Sequence, residues 1–351
     1  MEYKVIGLMS GTSMDGLDIA FCSLIKKDKW EFKIIKAETV EYSIEWLNKL
    51  KTIHSKSGAE LIELHNAYGK ELGLRVNRFI EKNKIQADFI ASHGHTIYHQ
   101  PGKEFTFQLG AGSAIAATTG ITTISDFRTL DVNLGGQGAP LVPIGDKLLF
   151  SMYDYCLNLG GFANISYDNQ SKRIAFDICP VNIILNRLAA ELNEKFDNKG
   201  KLASSGLVCN ALLDELNKLD FYKTTGPKSL GIEWLEKNFI PILAQYEIPV
   251  NDKLRTITEH IAAQLNEAIP GLDKKILITG GGAYNDFLID RFKAYSKNKI
   301  IIPDADVINF KEALVFAFLG VLRLRNEINC LSSVTGASRD SCSGCIYIGG
   351  V

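Results

Sequence analysis

Residues 3–8 form an almost continuous apolar run, and in residues 17–25 Leu17, Ile19 and Phe21 recur at every second position. Both patterns predict strands, the second with one buried face. Residues 31–42 read as a third strand. The period then changes. Leu61, Leu64, Tyr68, Leu72, Val76 and Phe79 fall three or four apart, which predicts a long amphipathic helix over 59–82, after a shorter one over 46–53. Short buried strands are expected at 88–92 and 122–125, with a helix over 113–119 between them. A Gly- and Pro-rich stretch, 131–143, reads as a hinge or an active-site loop.

The pattern then starts again. "YDYCLNLGGFANISYD" is a strand, a polar glycine turn and a strand; "KRIAFD" (172–177) is a third strand, and a helix follows from about Asn182. The first half opened in the same order. The two glycine turns lie about 150 residues apart, from Gly11 to Gly160, which suggests a faint duplication. Helices are expected near 231–246, 254–268, 286–296 and 312–325, and a strand at 276–279. Strands and helices alternate in both halves, so the class is α/β with a cleft between two lobes. The lobes are expected at 1–145 and 146–329, with a tail from about 330 to 351 returning to the first.

A chain of 351 residues fits two domains, and 46% hydrophobic content suffices for large cores. Net charge is −1, which gives no electrostatic case for nucleic acid or an anionic membrane. No window approaches the roughly 18–20 apolar residues of a membrane span. The N-terminus has no basic segment with a cleavage site, so a cytoplasmic protein is expected. Seven cysteines, an odd number, point to reduced thiols. Cys342 and Cys345 form a C-x-x-C without a second pair or nearby histidines, and read most simply as small apolar residues of a terminal strand.

Three glycine turns follow strands: "SGTSMDG" (10–16), "LGGFAN" (159–164) and "TGGGAYND" (279–286). None is a Walker or a dinucleotide-binding motif. Glycine nevertheless lets backbone N–H groups approach a phosphate, and the Thr12 and Ser13 hydroxyls add donors. Asp15 or Asp18 can hold a hydrated Mg²⁺, which keeps several waters and needs few protein ligands. One such turn is merely a turn; three, two of them at matching places, favour phosphate binding.

"GLMSGTSMDGLDIA", "SHGHTIYHQP", "SDFRTLDVNLGGQGAPLVP", "NLGGFANIS", "GPKSLGIEW", "ITGGGAYND" and "SVTGAS" occur in that order. Together they resemble the hallmark blocks of the anhydro-N-acetylmuramic acid kinase family, from Gly7 to about Ser338. The resemblance implies two ribonuclease-H-like lobes of the sugar-kinase/actin/heat-shock-chaperone superfold, with ATP in the interlobe cleft. It implies conversion of 1,6-anhydro-N-acetylmuramic acid, ATP and water to N-acetylmuramic acid 6-phosphate and ADP, in cell-wall sugar recycling. It also implies a homodimer.

The likeness assigns ATP binding to Gly11, Thr12, Ser13, Met14, Asp15, Gly16, Leu17 and Asp18, to Gly160, Gly161 and Asn164, and to Gly280, Gly281 and Gly282. Asp15 and Asp18 meet Mg²⁺, directly or through water. Ser13, His93, Arg128, Gln137 and Asp177 bind the amino sugar, Arg128 as a bidentate partner for its lactyl carboxylate. An alternative for Arg128 is an ordinary pair with Asp126 or Asp131. Asp177 is the general base, although position alone would make it a carboxylate at a helix N-terminus. His93 and its neighbours His95 and His99 read as sugar-pocket polar groups, with a metal site as the lesser alternative.

The chain departs from the family twice. It has His95 where the family has Gln. It reads "DICPVN" (177–182) where the family reads D-T-G-P-G-N, so Ile178, Cys179 and Val181 replace Thr and two glycines, adding bulk beside the base. Two other functions therefore share the fold: a kinase for another amino sugar that needs no water, and a nucleotide-binding regulator whose catalytic corner has decayed. Cys179 as a nucleophile lacks a basic partner in the local sequence. Lys228 and Ser229 belong to a family block with no role that the sequence assigns.

Overall fold

The computed structural model describes residues 1–11, 14–224 and 226–350. The expected contributions of Thr12 and Ser13 lie outside the described residues. Among these residues the strands are β1 (Glu2–Ser10), β2 (Leu17–Lys26), β3 (Trp30–Val40), β4 (Phe89–Gln100), β5 (Phe105–Leu109), β6 (Thr123–Ser125), β7 (Tyr155–Leu159), β8 (Phe162–Asn169), β9 (Lys172–Pro180), β10 (Lys275–Thr279), β11 (Lys299–Ile301) and β12 (Cys345–Tyr347).

The chain divides into two compact units, Met1–Leu149 with Phe310–Val351, and Phe150–Asn309. The return to the first unit starts well before the expected position near 330. The reason is the helix Ala305–Leu324: its residues from Ala313 to Leu322 are buried almost without interruption. A helix that is apolar on most sides has to be enclosed.

In the first unit β1, β2 and β3 form an antiparallel meander, β4 lies parallel to β1, and β6 lies parallel to β4. β5 pairs with β4, and β12 closes the far edge against β6. The expected strand at 88–92 is thus much longer, because residues beyond His93 pair with β5. One face of the sheet is covered by the helix Gly58–Asn83, which opens with a Ser57/Glu60 capping box and buries Tyr68, Leu72, Val76 and Phe79 against Ile6, Leu8 and Ile90. Gly7 points to the opposite face, where a Cβ would strike the Ala313 carbonyl, so helix Ala305–Leu324 lies directly on the strand.

In the second unit β7, β8 and β9 are again an antiparallel meander, with β10 parallel to β7 and β11 parallel to β10. The strand order β11-β10-β7-β8-β9 repeats β6-β4-β1-β2-β3. Its core joins Leu157, Ile165 and Ile278 to Leu185, Ile257, Ile261 and Phe292 of the flanking helices. The helix expected over 231–246 is interrupted by a π-helical turn, Leu235–Phe239, between Ile232–Trp234 and Ile240–Ala244. Pro241, which has no N–H to donate, is the second residue after it.

No helix among the described residues is long and apolar enough to cross a membrane. Cys345 opens β12 and is exposed, whereas Cys342 lies outside the strand. The expectation of two thiols within one strand is corrected by Gly344, whose φ of +124° breaks the extended run.

Candidate active site

The first glycine turn joins β1 to β2, with Ser10 opposite Leu17. Met14 takes a φ of +59° and donates its N–H to the Gly11 carbonyl at 3.2 Å. A Cβ on Gly16 would lie 2.8 Å from Thr39 Cγ2 and 2.9 Å from the Val40 carbonyl, so that glycine lets β3 pass close by. The Leu17 side chain is 1% exposed and belongs to the core, so only its backbone can face a ligand.

Beneath the turn lies a buried polar cluster. Ser10 Oγ is 2.6 Å from Tyr42 Oη and 2.8 Å from His95 Nδ1, and it accepts from Tyr68 Oη at 3.1 Å. The two tyrosine hydroxyls are 2.7 Å apart. Burial pushes the His95 imidazole down to about 4. His95 is 2% exposed and belongs to the footing of the turn.

Asp18 accepts from Thr39 Oγ1 at 2.6 Å. Burial raises its pKa, and the Asp15 carboxylate adds to the effect. Glu312, on the helix Ala305–Leu324, is raised by its surroundings against the opposing field of Arg128, with Asp18 contributing. Sequence reading missed Glu312; its only signal was a carboxylate at the start of the apolar stretch that fills the rest of this helix. Among the described residues no set of three or more His, Cys, Asp or Glu side chains gathers as a metal cage. Mutual repulsion between Asp15 and Asp18 is what a hydrated divalent cation would relieve, so these residues fit Mg²⁺ held largely by water.

Arg128 Nε donates to His93 Nε2 at 2.9 Å, and its NH1 donates to the Gly138 carbonyl at 2.6 Å. A guanidinium can only donate, so His93 Nε2 is an acceptor and its Nδ1–H points to the Gly94 carbonyl, 2.9 Å away. His93 is therefore neutral, consistent with the downward push of burial and of Arg128. Both ring nitrogens are committed, which argues against a metal at this residue. Burial lowers Arg128 to about 10, still charged at neutral pH. Among the described residues its second terminal nitrogen has no protein partner.

Arg128 is not paired with Asp126 or Asp131. Asp126 accepts from Thr129 Oγ1 at 2.5 Å. Asp131 is fully buried and accepts from the Gly138 N–H at 2.8 Å, Thr335 Oγ1 at 2.7 Å and Cys330 Sγ at 3.0 Å. It pins the "GGQGAP" loop to the "SVTGAS" segment, a role that sequence reading missed. Gln137 is exposed in this loop, and its N–H bonds the Thr335 carbonyl at 2.8 Å. His99 Nδ1 lies 3.1 Å from Thr106 Oγ1 across β4 and β5.

In the second unit Asn158, Asn164 and Asp177 stand opposite one another on β7, β8 and β9, a polar row on one sheet face. The β8–β9 register slips between Ala163 and Asn164, leaving Ile178 as an extra residue. This bulge sets the direction of Asp177. Asp177 Oδ2 accepts from the Leu230 N–H at 2.8 Å; among the described residues nothing donates to Oδ1. Burial raises the carboxyl pKa and the Leu230 N–H opposes it. Ile178, Cys179 and Val181 are at most 3% exposed and lie in the core. The expected bulk of "DICPVN" is absorbed there, and burial pushes the Cys179 thiol far up, away from nucleophile chemistry.

The second glycine turn is held by the start of helix Asn182–Ala190: the Val181 N–H reaches the Gly161 carbonyl at 2.8 Å and the Asn182 N–H the Gly160 carbonyl at 3.2 Å. Gly161 is exposed, and a Cβ there would meet only Ile183, at 3.9 Å. Gly280 has φ +82°, and a Cβ would lie 2.5 Å from Asn158 Oδ1 and 2.8 Å from the Leu159 carbonyl. Gly280 and Gly282 are thus packing glycines against β7. Gly281 opens on a cavity of about 550 Å³ within this unit, lined by residues that include Asn182, Asn186, Phe196, Lys199, Tyr284 and Asn285. A cavity of that size accommodates a nucleoside.

Residues 3–349 match the family profile described as anhydro-N-acetylmuramic acid kinase. The chain belongs to that family. Curated members named anhydro-N-acetylmuramic acid kinase include one from Sulfurovum sp. (strain NBC37-1), 35% identical over 98% of this chain and 99% of its own length. Another, from Synechococcus elongatus, is 33% identical over 98% and 99%, and one from Coxiella burnetii is 34% identical over 99% and 98%. A more distant solved chain is the Clostridium difficile 2-hydroxyisocaproyl-CoA dehydratase activator with bound ADPNP (TM-score 0.45, 13% identity, 92% of this chain and 97% of that chain). This anhydro-N-acetylmuramic acid kinase family member is built of two α/β units that share one strand order.

Proposed function

We propose that this chain uses ATP and water to convert 1,6-anhydro-N-acetylmuramic acid to N-acetylmuramic acid 6-phosphate and ADP, opening the anhydro bridge in the same event as phosphoryl transfer. The observation that carries this reading is Asp177. It is a half-buried carboxylate with a raised pKa, one oxygen fixed by the Leu230 N–H and the other free to take a proton. That is the equipment of a general base.

In this reading Asp177 Oδ1 removes a proton from water as its oxygen bonds to the anomeric carbon. The bond from that carbon to oxygen 6 breaks, and its electron pair stays on oxygen 6. Oxygen 6 attacks the γ-phosphorus, and the bond to the leaving ADP oxygen breaks. Arg128 holds the lactyl carboxylate through its free donors, with His93 and Gly138 fixing the guanidinium plane. His93 and Gln137 line the sugar. Residues 11–18, Gly160, Gly161, Asn164 and 280–282 bind ATP. Asp15 and Asp18 would hold hydrated Mg²⁺, which neutralises charge on the transferring phosphates.

Turnover of the anhydro sugar in ¹⁸O-water tests the reading, with N-acetylmuramic acid as control. Promptly analysed product should carry ¹⁸O at carbon 1. Asp177→Asn should lower kcat by about 10²–10⁴. Phosphorylation of the control alone would identify an ordinary amino-sugar kinase. ATP binding without turnover of either sugar would identify a regulator.

A further inference from the structure

Lys228 stands in the "GPKSLG" block, and its ammonium bonds main-chain carbonyls of a neighbouring helix end. Nζ donates to the Phe221 carbonyl at 2.8 Å and to the Thr224 carbonyl at 3.0 Å, and lies 4.3 Å from the Phe221 ring centre. These carbonyls end the short helix Asp220–Lys223, where a cation is favoured. That helix is itself anchored. Gln264 Nε2 donates to Asn217 Oδ1, so His260 Nδ1–H also donates there, at 2.6 Å. His260 Nε2 then accepts from Tyr222 Oη at 3.0 Å. Trp234 packs on both Phe221 and Tyr222.

The backbone on either side of the Lys228 side chain does something else. The Lys228 carbonyl accepts the Asp177 N–H at 2.9 Å, and the Leu230 N–H donates to Asp177 Oδ2 at 2.8 Å. The segment therefore holds Asp177 by its main chain and by one carboxylate oxygen. Nothing else among the described residues bonds that carboxylate.

We infer that Lys228 is a positioning residue for Asp177: its ammonium ties the 227–230 segment to the anchored helix Asp220–Lys223, and the segment fixes the Asp177 carboxylate with Oδ1 free. This rests on the reading of Asp177 as the base. Lys228 acts through backbone groups and touches no reacting atom. A carboxylate held at one oxygen presents the other in a fixed direction. Released, it samples rotamers in which the water is out of reach.

The test compares Lys228→Met, which keeps the stem over the Phe221 ring, with Lys228→Arg, which keeps a cation able to reach both carbonyls. Hydrogen exchange of the Asp177 and Leu230 amides reports the anchor without reference to activity, and other β9 amides and the unfolding temperature report the fold. The expected result is faster exchange at those two amides in Lys228→Met alone. With it, kcat should fall roughly tenfold or more at unchanged KM for ATP, and Lys228→Arg should restore most of it. Unchanged exchange in Lys228→Met overturns the inference. So does faster exchange with full kcat while Asp177→Asn is inactive, because holding the base would then not matter. Full activity of Asp177→Asn would instead remove the reading of Asp177, and this inference with it.

Discussion

Arg128 shows how one side chain can be both a scaffold and a recognition group. Two of its donors are spent on His93 Nε2 and the Gly138 carbonyl, which fixes the plane of the guanidinium. What remains is a terminal nitrogen with no protein partner among the described residues. Lysine could supply a charge but not a plane with fixed donor directions. Arg128→Lys should raise KM for the anhydro sugar about tenfold or more, equivalent to about 1.4 kcal/mol, with KM for ATP within twofold. Steady-state kinetics with each substrate varied in turn would show it, and an unchanged sugar KM would remove Arg128 from substrate binding. At this scale the sequence singles out Arg128 and Asp177 through the motif blocks that hold them, while position alone makes Asp177, near the end of β9, no more than a carboxylate before a helix. It was not legible for Asp131, whose partners Cys330 and Thr335 are some two hundred positions away. Nor could it show that His95 faces inward, since a histidine on a strand reads the same on either face.

The glycine turns divide by what their missing Cβ serves. Gly161 and Gly281 are open, whereas Gly280 and Gly282 have no room because β7 passes against them. Gly280→Ala should therefore cost stability before it costs ligand contacts. Its φ of +82° is unfavourable for alanine, and the new Cβ would press on Asn158 and the Leu159 carbonyl. A loss of about 1–3 kcal/mol is expected by denaturant unfolding, together with weaker ATP binding. Gly281→Ala should lose less than half as much stability, and equal losses would contradict this division. The meanders and long helices were legible because their apolar periods are regular. β4 was cut short in the reading because "HGHTIYHQ" lacks an apolar alternation, and its pairing with β5 is a tertiary fact. The bulge at Ile178 was hidden for a related reason, since one extra residue in a buried strand leaves the local pattern unchanged.

Across the whole chain, both units bury neutral imidazoles, and this sets the acid side of stability. Burial lowers His95 of the first unit to about 4 and His260 of the second to about 3, against 6.5 for the free side chain. The unfolded chain therefore takes up these protons first as pH falls. Stability from neutral His95 is whole above about pH 6.5 and is lost as pH falls through about 4, a difference of roughly 3 kcal/mol by linkage. His260 acts in the same direction over a window reaching lower. Among the described residues the hydrogen-bonded cluster of Ser10, Tyr42 and Tyr68 offers His95 hydroxyls, and no carboxylate bonds its ring. His95→Gln keeps a group able to bond Ser10 and removes the proton. Its unfolding free energy should fall less steeply than that of the parent between pH 6.5 and 4, with the two curves parallel above pH 7. Because His95 underlies the first glycine turn, acid should weaken ATP binding in the parent before global unfolding, and His95→Gln should resist this. Parallel curves down to pH 4 would mean that His95 takes up its proton in the folded chain as readily as in the unfolded one, and the hydroxyl cluster would then have to be redrawn to accommodate a cation.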